Sequence, residues 1–308
     1  MSETAYAVLF PGQGSQFVGM GADVFATRAD LLVDLAEEVL GWSLADLCAQ
    51  GPEDELTRTD RAQPVLFAVG YALWEAWRLQ APAPVAAAGH SLGEYTALAA
   101  AGAVTFGDGL GLVAARGSAM AAAAAATAGG MAALLGGDAG AAEALAAARR
   151  AMGGALWVAN VNAPGQVVIA GGLDDLDWAA ASAGDHGIRR VIPLKVAGAF
   201  HTPLMAPAAE DLGRALAATT FSAPVFAVWG NADAAAVEDP VDALTRQLVS
   251  PVRFADSLTA IGAAGVDTFV HIGPGDVTAG LARRTVPDAT VHVVSSLDDM
   301  AAAAAAVQ

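Results

Sequence analysis

The chain predicts an α/β fold in two parts. A large domain with a mostly parallel sheet takes residues 1–129 and 198–308, and a small α/β domain is inserted at 130–197. Three observations predict it. Short apolar runs alternate with segments of helical period over the first 126 residues, and again after Gly198; strands joined by crossover helices give that texture. Between Gly129-Gly130 and Gly198 the order changes to β-α-β-β-α-β, closing on itself in about 65 residues in the ferredoxin-like manner. Gly89-His90-Ser91-Leu92-Gly93 stands between an apolar run and a helical run, the strand–turn–helix context in which G-x-S-x-G marks a nucleophile elbow.

The elements follow in order. Ala5 to Phe10 reads as a strand, followed by the turn Pro11-Gly12-Gln13-Gly14-Ser15-Gln16. Helical periods run from Leu31 to Cys48 and from Pro64 to Leu79. Pro84 to Ala88 is a strand, Glu94 to Ala101 a helix, and Phe106 to Ala126 a longer helix. In the insert, Met131–Leu135 is a strand, Ala139–Met152 a helix and Leu156–Val161 a strand. Asn162-Ala163-Pro164-Gly165 then turns the chain into the strand Gln166–Ala170. Leu173–Ala183 is a helix and Ile188–Val196 the last strand of the insert. Beyond it, Thr202 suits an N-cap and Pro203 the first turn of a new helix. Strands are expected at Val225–Trp229 and Thr268–Ile272, with a helix near Val241–Val249 between them, and Ala301–Gln308 as a loosely held tail.

Composition narrows the function classes. At 308 residues, 55% hydrophobic and 15% charged, the chain can bury a sizeable core. Its apolar share is largely alanine, and no window approaches the ~20 bulky apolar residues of a membrane span. Cys48 is the only cysteine, which excludes an internal disulfide and any cysteine cluster for a metal. Without a basic N-terminal region, a cytoplasmic address is expected. The formal net charge of −17 repels nucleic acid and anionic lipid. An acidic protein partner would need a local basic patch, for which Arg189-Arg190 with Lys195 (the only lysine) and Arg283-Arg284 are available. Solvated surface faces are the ordinary role of such pairs. No heptad pattern is present, so a monomer is expected.

Ser91 requires small neighbours two positions away on each side, because a tight strand-to-helix turn passes close to adjacent elements. The turn sets its hydroxyl at a helix N-terminus, where free N–H groups favour negative charge. A loop serine between two glycines is the alternative. Of the five histidines, His90 should point away from Ser91, His271 and His292 belong to strands, and His186 to a polar turn. His201 precedes a helix N-terminus at the junction of the two domains, where the ring stays neutral and clefts form; a linker histidine capping a turn is the alternative. Arg116 has no carboxylate at helical spacing, so its anion is either an acid from another element or a substrate carboxylate gripped in a fork. Gly12-Gln13-Gly14 is neither a dinucleotide fingerprint nor a phosphate-binding loop, but it faces the carboxyl end of a parallel strand, where α/β ligands bind.

The ordered set Pro11-Gly12-Gln13-Gly14-Ser15-Gln16, Gln63-Pro64, Gly89-His90-Ser91-Leu92-Gly93-Glu94, Arg116-Gly117, Asn160-Val161-Asn162-Ala163-Pro164-Gly165-Gln166, Gly198-Ala199-Phe200-His201 and Gly273-Pro274-Gly275 resembles the malonyl-CoA:acyl carrier protein transacylases over nearly the whole chain. The resemblance implies an α/β-hydrolase-like large domain with a ferredoxin-like insertion. It implies transfer of a malonyl group from malonyl-CoA to the pantetheine thiol of acyl carrier protein, with no cofactor and no metal. Ser91 would carry the malonyl ester and His201 would move the proton. The Leu92 N–H and a donor near Gln13 would form the oxyanion hole, each donor worth ~3 kcal/mol. Arg116 would bind the free carboxylate, Gln63 would line the pocket, and Asn162 would lie near the pantetheine. The main-chain carbonyl near Gln247 would orient the histidine in place of an acid. Leu92 and Phe200 resemble the malonyl-selective members. An acyltransferase serving polyketide synthesis, a serine esterase or thioesterase, and a catalytically dead docking scaffold are the competing readings. Arg116 argues against a simple esterase, and the intact Ser91, His201 and Arg116 against a scaffold.

Overall fold

The computed structural model describes residues 5–308. Five strands form a parallel sheet in the order β7-β2-β1-β8-β9: β1 (Tyr6–Phe10), β2 (Ala86–Gly89), β7 (Ala227–Trp229), β8 (Thr268–Ile272) and β9 (Thr290–Val294). A second, antiparallel sheet has the order β4-β5-β3-β6, built from β3 (Gly130–Leu135), β4 (Leu156–Ala163), β5 (Gln166–Gly171) and β6 (Arg190–Pro193). Two helices, Ala139–Ala151 and Leu173–Ser182, pack on that sheet.

The strand β1 is buried on both faces, as parallel strands are. Tyr6, Val8 and Phe10 face one layer, with Trp77 edge-on to Tyr6 at 6.1 Å and Trp74 edge-on to Phe10 at 6.3 Å. Ala7 and Leu9 face the other layer, with Phe254, Leu258 and Ile261 of one helix and Leu281 of the next. On the first side, the long helices Thr59–Trp77 and Phe106–Ala126 lie against each other. Gly109 and Gly117 make that approach possible: a Cβ at Gly117 would stand 2.8 Å from the Thr59 carbonyl, and one at Gly109 2.5 Å from the Phe67 ring. Each glycine costs about 1 kcal/mol of helix propensity relative to alanine, and close packing around Arg116 is what it permits.

Several expectations need correction. The Leu31–Cys48 period is not one helix. It breaks at Gly41, which adopts φ 73°, and resumes at Leu44–Gln50 under the Ser43 N-cap. The last strand of the insert is only Arg190–Pro193, shorter than Ile188–Val196. The turn opened by Thr202 is 3₁₀ over Pro203–Met205 before the helix Ala206–Ala218 begins. Helices at Phe254–Ala263 and Val277–Thr285 were not expected. The terminal alanines are no loose tail: Met300–Val307 is a helix that buries Met300, Ala303, Ala304 and Val307, the spacing of one helical face. An alanine run has no polar contrast, so that period is invisible in the sequence. Phe106–Ala126, whose most apolar 18-residue window has mean hydropathy 1.3, is long and apolar enough to cross a membrane, but 56% of that window is buried inside the protein, and the helix carries Arg116.

Candidate active site

The loops after β1, β2, β7 and β8 converge at the carboxyl ends of the parallel strands, where open α/β sheets bind their ligands. Ser91 occupies the sharpest of these turns, between β2 and the helix Gly93–Ala100, with φ 52°. A non-glycine residue there is strained and persists only where the surroundings over-determine it. Its neighbours are glycine by necessity: a Cβ at Gly89 would meet the Gly93 carbonyl carbon at 1.8 Å, and one at Gly93 the Phe10 carbonyl at 2.3 Å. Asn231, just beyond β7, pins the turn. Its Oδ1 accepts from the Ser91 N–H at 2.6 Å and its Nδ2 donates to the Gly89 carbonyl at 2.7 Å.

His201 also adopts a left-handed conformation, φ 59°. Its Nε2 lies 2.8 Å from Ser91 Oγ, while Nδ1 donates to the main-chain carbonyl of Gln247 at 3.0 Å. A carbonyl can only accept, so the proton stays on Nδ1 and Nε2 is left as the acceptor facing the serine. Burial, and secondarily the charge of Arg116, push the His201 pKa down to about 3, so the resting imidazole is neutral and able to take a proton.

Arg116 is only 1% exposed and forms no ion pair with a carboxylate among the described residues. Nη1 donates to Gln63 Oε1 at 2.7 Å; Nη2 donates to Gln247 Oε1 at 2.9 Å and to Ser91 Oγ at 3.0 Å. The Tyr95 ring lies 5.5 Å from the guanidinium carbon. The Nε–H has no partner. A buried guanidinium held by neutral amides keeps its full charge for an anion that is not part of the chain.

A cavity of about 210 Å³ joins these groups. Gln13, Ser91, Leu92, Arg116, Asn162 and His201 lie on its wall, and Met120, Met131, Val168, Val196 and Phe200 make it apolar. Among the described residues, neither the Leu92 N–H nor the Gln13 N–H meets a protein acceptor, leaving two donors beside Ser91, an arrangement that can hold an oxyanion. His90 turns from Ser91 toward Asn162, with Nε2 to Oδ1 at 2.7 Å. His271, by contrast, is a packed strand residue bonded to Thr278 Oγ1 and the Gly273 carbonyl. One expectation changes: Gln63 is not on the cavity wall but behind Arg116, its Oε1 bonded to Nη1 and its Nε2 to the Met120 sulfur.

Sequence reasoning missed Asn231 and Glu94. Asn231 sits after Gly230 at the end of an expected strand, the one signal that could have marked it. Glu94 is fully buried and accepts from the Asn231 N–H at 3.0 Å and from Gln247 Nε2 at 2.7 Å.

Residues 8–304 match the acyl transferase domain family. The chain belongs to that family. The transferase is 42% identical over 310 residues to the malonyl CoA-acyl carrier protein transacylase of Salmonella typhimurium, covering 99% of each chain. Its fold superposes on an acyl carrier protein S-malonyltransferase from Vibrio cholerae with TM-score 0.92, at 40% identity and over 97% of this chain and 99% of that one. A malonyl-transacylase solved in complex with a type II polyketide acyl carrier protein matches with TM-score 0.92 at 36% identity, over 98% of this chain and 100% of that one.

Proposed function

We propose that the protein transfers a malonyl group from malonyl-CoA to the pantetheine thiol of acyl carrier protein, through a malonyl ester on Ser91. The observation that carries this is Arg116: a cation buried without an anionic partner, 3.0 Å from the nucleophile. His201 Nε2 removes the Ser91 proton as Oγ attacks the thioester carbonyl. The Leu92 and Gln13 N–H groups hold the oxyanion. The imidazolium then protonates the departing CoA thiolate. In the second half-reaction the same ring accepts the proton of the carrier thiol as its sulfur attacks the ester, and returns that proton to the departing Ser91 Oγ. Throughout, the distal carboxylate rests on Arg116. No group beyond the chain and its two substrates, one a thioester and the other a thiol, takes part in this sequence, and a cytoplasmic location belongs to the same reading.

The placement of cations supports an acidic partner. Among the described residues nine arginines are ion-paired, and Arg116 is buried in the site. The remaining cations, Arg189, Arg190, Lys195, Arg283 and Arg284, are all exposed. Lys195 lies between the cavity-wall residues Leu194 and Val196. Arg283 and Arg284 end the helix whose Val277 and Leu281 complete the wall, and Arg284 reaches Gln166, also on the wall. Arg189 and Arg190 lie farther out, at the other end of β6. Free positive charge on a protein of net charge −17 is thus gathered toward the mouth of the site, where it would steer an acidic carrier.

One assay separates the competing functions. Protein, malonyl-CoA and pantetheinylated carrier are mixed, and free CoA and malonyl-carrier are followed. Transfer supports the proposal. CoA release without transfer would make the protein a hydrolase, and no reaction would leave a scaffold.

A further inference from the structure

Glu94 lies three residues beyond the nucleophile, fully buried, and the proton transfers above leave it unused. Its two oxygens are used unequally. Oε2 accepts from both Asn231 N–H and Gln247 Nε2, while Oε1 has no partner. Each donor touches the reacting groups with its other end. Asn231 holds the Ser91 N–H. Gln247 donates from Nε2 to the Ser91 carbonyl at 2.9 Å, accepts at Oε1 from Arg116, and accepts at its main-chain oxygen from His201. A glutamine amide can exchange its oxygen and nitrogen by a half-turn. Turned over, Gln247 would present Oε1 to two acceptors and its NH₂ to a guanidinium, so every contact of the side-chain amide would be lost.

We propose that Glu94 is a positioning residue for substrate selection: accepting through one oxygen, it locks the Gln247 amide with its carbonyl toward Arg116 and so aims the guanidinium at the malonyl carboxylate. This rests on the malonyl transfer proposed above. The acceptor matters, not the charge. Burial pushes the Glu94 carboxyl up to about 7, and a proton on the free Oε1 leaves both Oε2 bonds intact. Glu94 lines a cavity of about 330 Å³ behind the site. Facing Glu94 are Arg116 from the Phe106–Ala126 helix and Asp233 from the loop after β7, and Glu238, Asp239, Asp242 and Arg246 line the same cavity; its hydrogen-bond partners are the neutral amides of Gln247 and Asn231.

The test compares Glu94→Gln and Glu94→Leu with the wild type, measuring kcat/KM for malonyl-CoA and acetyl-CoA between pH 6 and 8. Glu94→Gln keeps the accepting oxygen and should hold malonyl kcat/KM within about threefold of wild type, with an unchanged pH profile. Glu94→Leu removes it and should lower the malonyl-to-acetyl ratio at least about tenfold, with only part of the loss shared by acetyl transfer. Equal losses for both substrates in Glu94→Leu would make the residue merely structural and overturn the proposal. So would a Glu94→Gln variant as damaged as Glu94→Leu, or a pH inflection near 7 that disappears in Glu94→Gln. Should Glu94→Leu not fold, the Glu94→Gln rate and profile decide alone. Absence of malonyl transfer in the wild type refutes the transferase itself, a different outcome from a changed ratio among variants.

Discussion

Replacing Arg116 by alanine should convert a malonyl-selective site into one indifferent to the carboxylate. The guanidinium has five N–H donors. Two contact Gln63 and Gln247, one contacts Ser91 Oγ, and the Nε–H has no partner. Acylation converts the serine hydroxyl to an ester, so the donor on Oγ becomes free for the malonyl group beside the unused ones, enough for a two-bond grip. Hydrogen bonds to a charged group contribute about 1.5–3 kcal/mol each, so two are worth roughly 3–6 kcal/mol, or about 10²–10⁴ in kcat/KM at 1.36 kcal/mol per decade. Surface screening does not reduce this, since Arg116 is 1% exposed. Malonyl-CoA should lose that factor in Arg116→Ala, because its carboxylate would enter an apolar cavity unpaired. Acetyl-CoA makes no such demand and should hold its rate or gain. Arg116→Lys should recover little, since an ammonium cannot reproduce a planar fork reaching Gln63, Gln247 and the substrate together. The assay is kcat/KM for both thioesters with each variant. Equal losses would show that Arg116 serves packing alone, and the substrate class would lose its structural basis.

Other predictions follow from the same geometry. Ser91→Ala should abolish both transfer and the malonyl mass adduct seen after mixing with malonyl-CoA; an adduct surviving on the variant would place the nucleophile elsewhere. His201→Ala should cost about as much as Ser91→Ala, because the two act as a unit, and a near-normal rate would make another group the base. Charge reversal at Lys195 and Arg284 together should raise KM for the carrier about five- to tenfold at low salt, with transfer to free pantetheine unchanged; a carrier KM that does not move would exclude this face as the docking site. Acid should destabilise the protein. Burial lowers the pKa of His201 to about 3 and of His271 to about 4, so below pH 6.5 the unfolded chain binds protons that the folded one refuses. Each histidine then removes up to about 1.4 kcal/mol per pH unit between 6.5 and its folded pKa. Glu94, raised to about 7, works in the opposite direction from pH 7 to 4.5 and offsets only part of this. Denaturant titrations at pH 7 and pH 5 check it, and greater stability at pH 5 would contradict the sign.

Much of this protein is local enough to be legible in its sequence. The strands at Tyr6–Phe10 and Thr268–Ile272 and the helix at Phe106–Ala126 are written in apolar period and caps. The elbow is written in Gly89 and Gly93, because a Cβ at either would collide with backbone. Ser91, His201 and Arg116 could be singled out because each breaks a local rule: a serine in a strand-to-helix turn, a histidine at an interdomain helix start, an arginine with no acid at helical spacing. Period fails where contrast fails, so the alanines of Met300–Val307 concealed a buried helical face. What only the tertiary structure decided is how distant residues share hydrogen bonds. Gln63 lies behind Arg116 instead of on the cavity wall because its amide is the acceptor that the buried guanidinium needs from the Thr59–Trp77 helix. Asn231 holds a peptide 140 residues away in sequence, and the hydrogen-bond link from Glu94 to Arg116 runs through Gln247. No spacing in a chain encodes such contacts. They follow from the burial of polar groups that must each find a partner, and which partner is within reach is settled only when the strands and helices have packed.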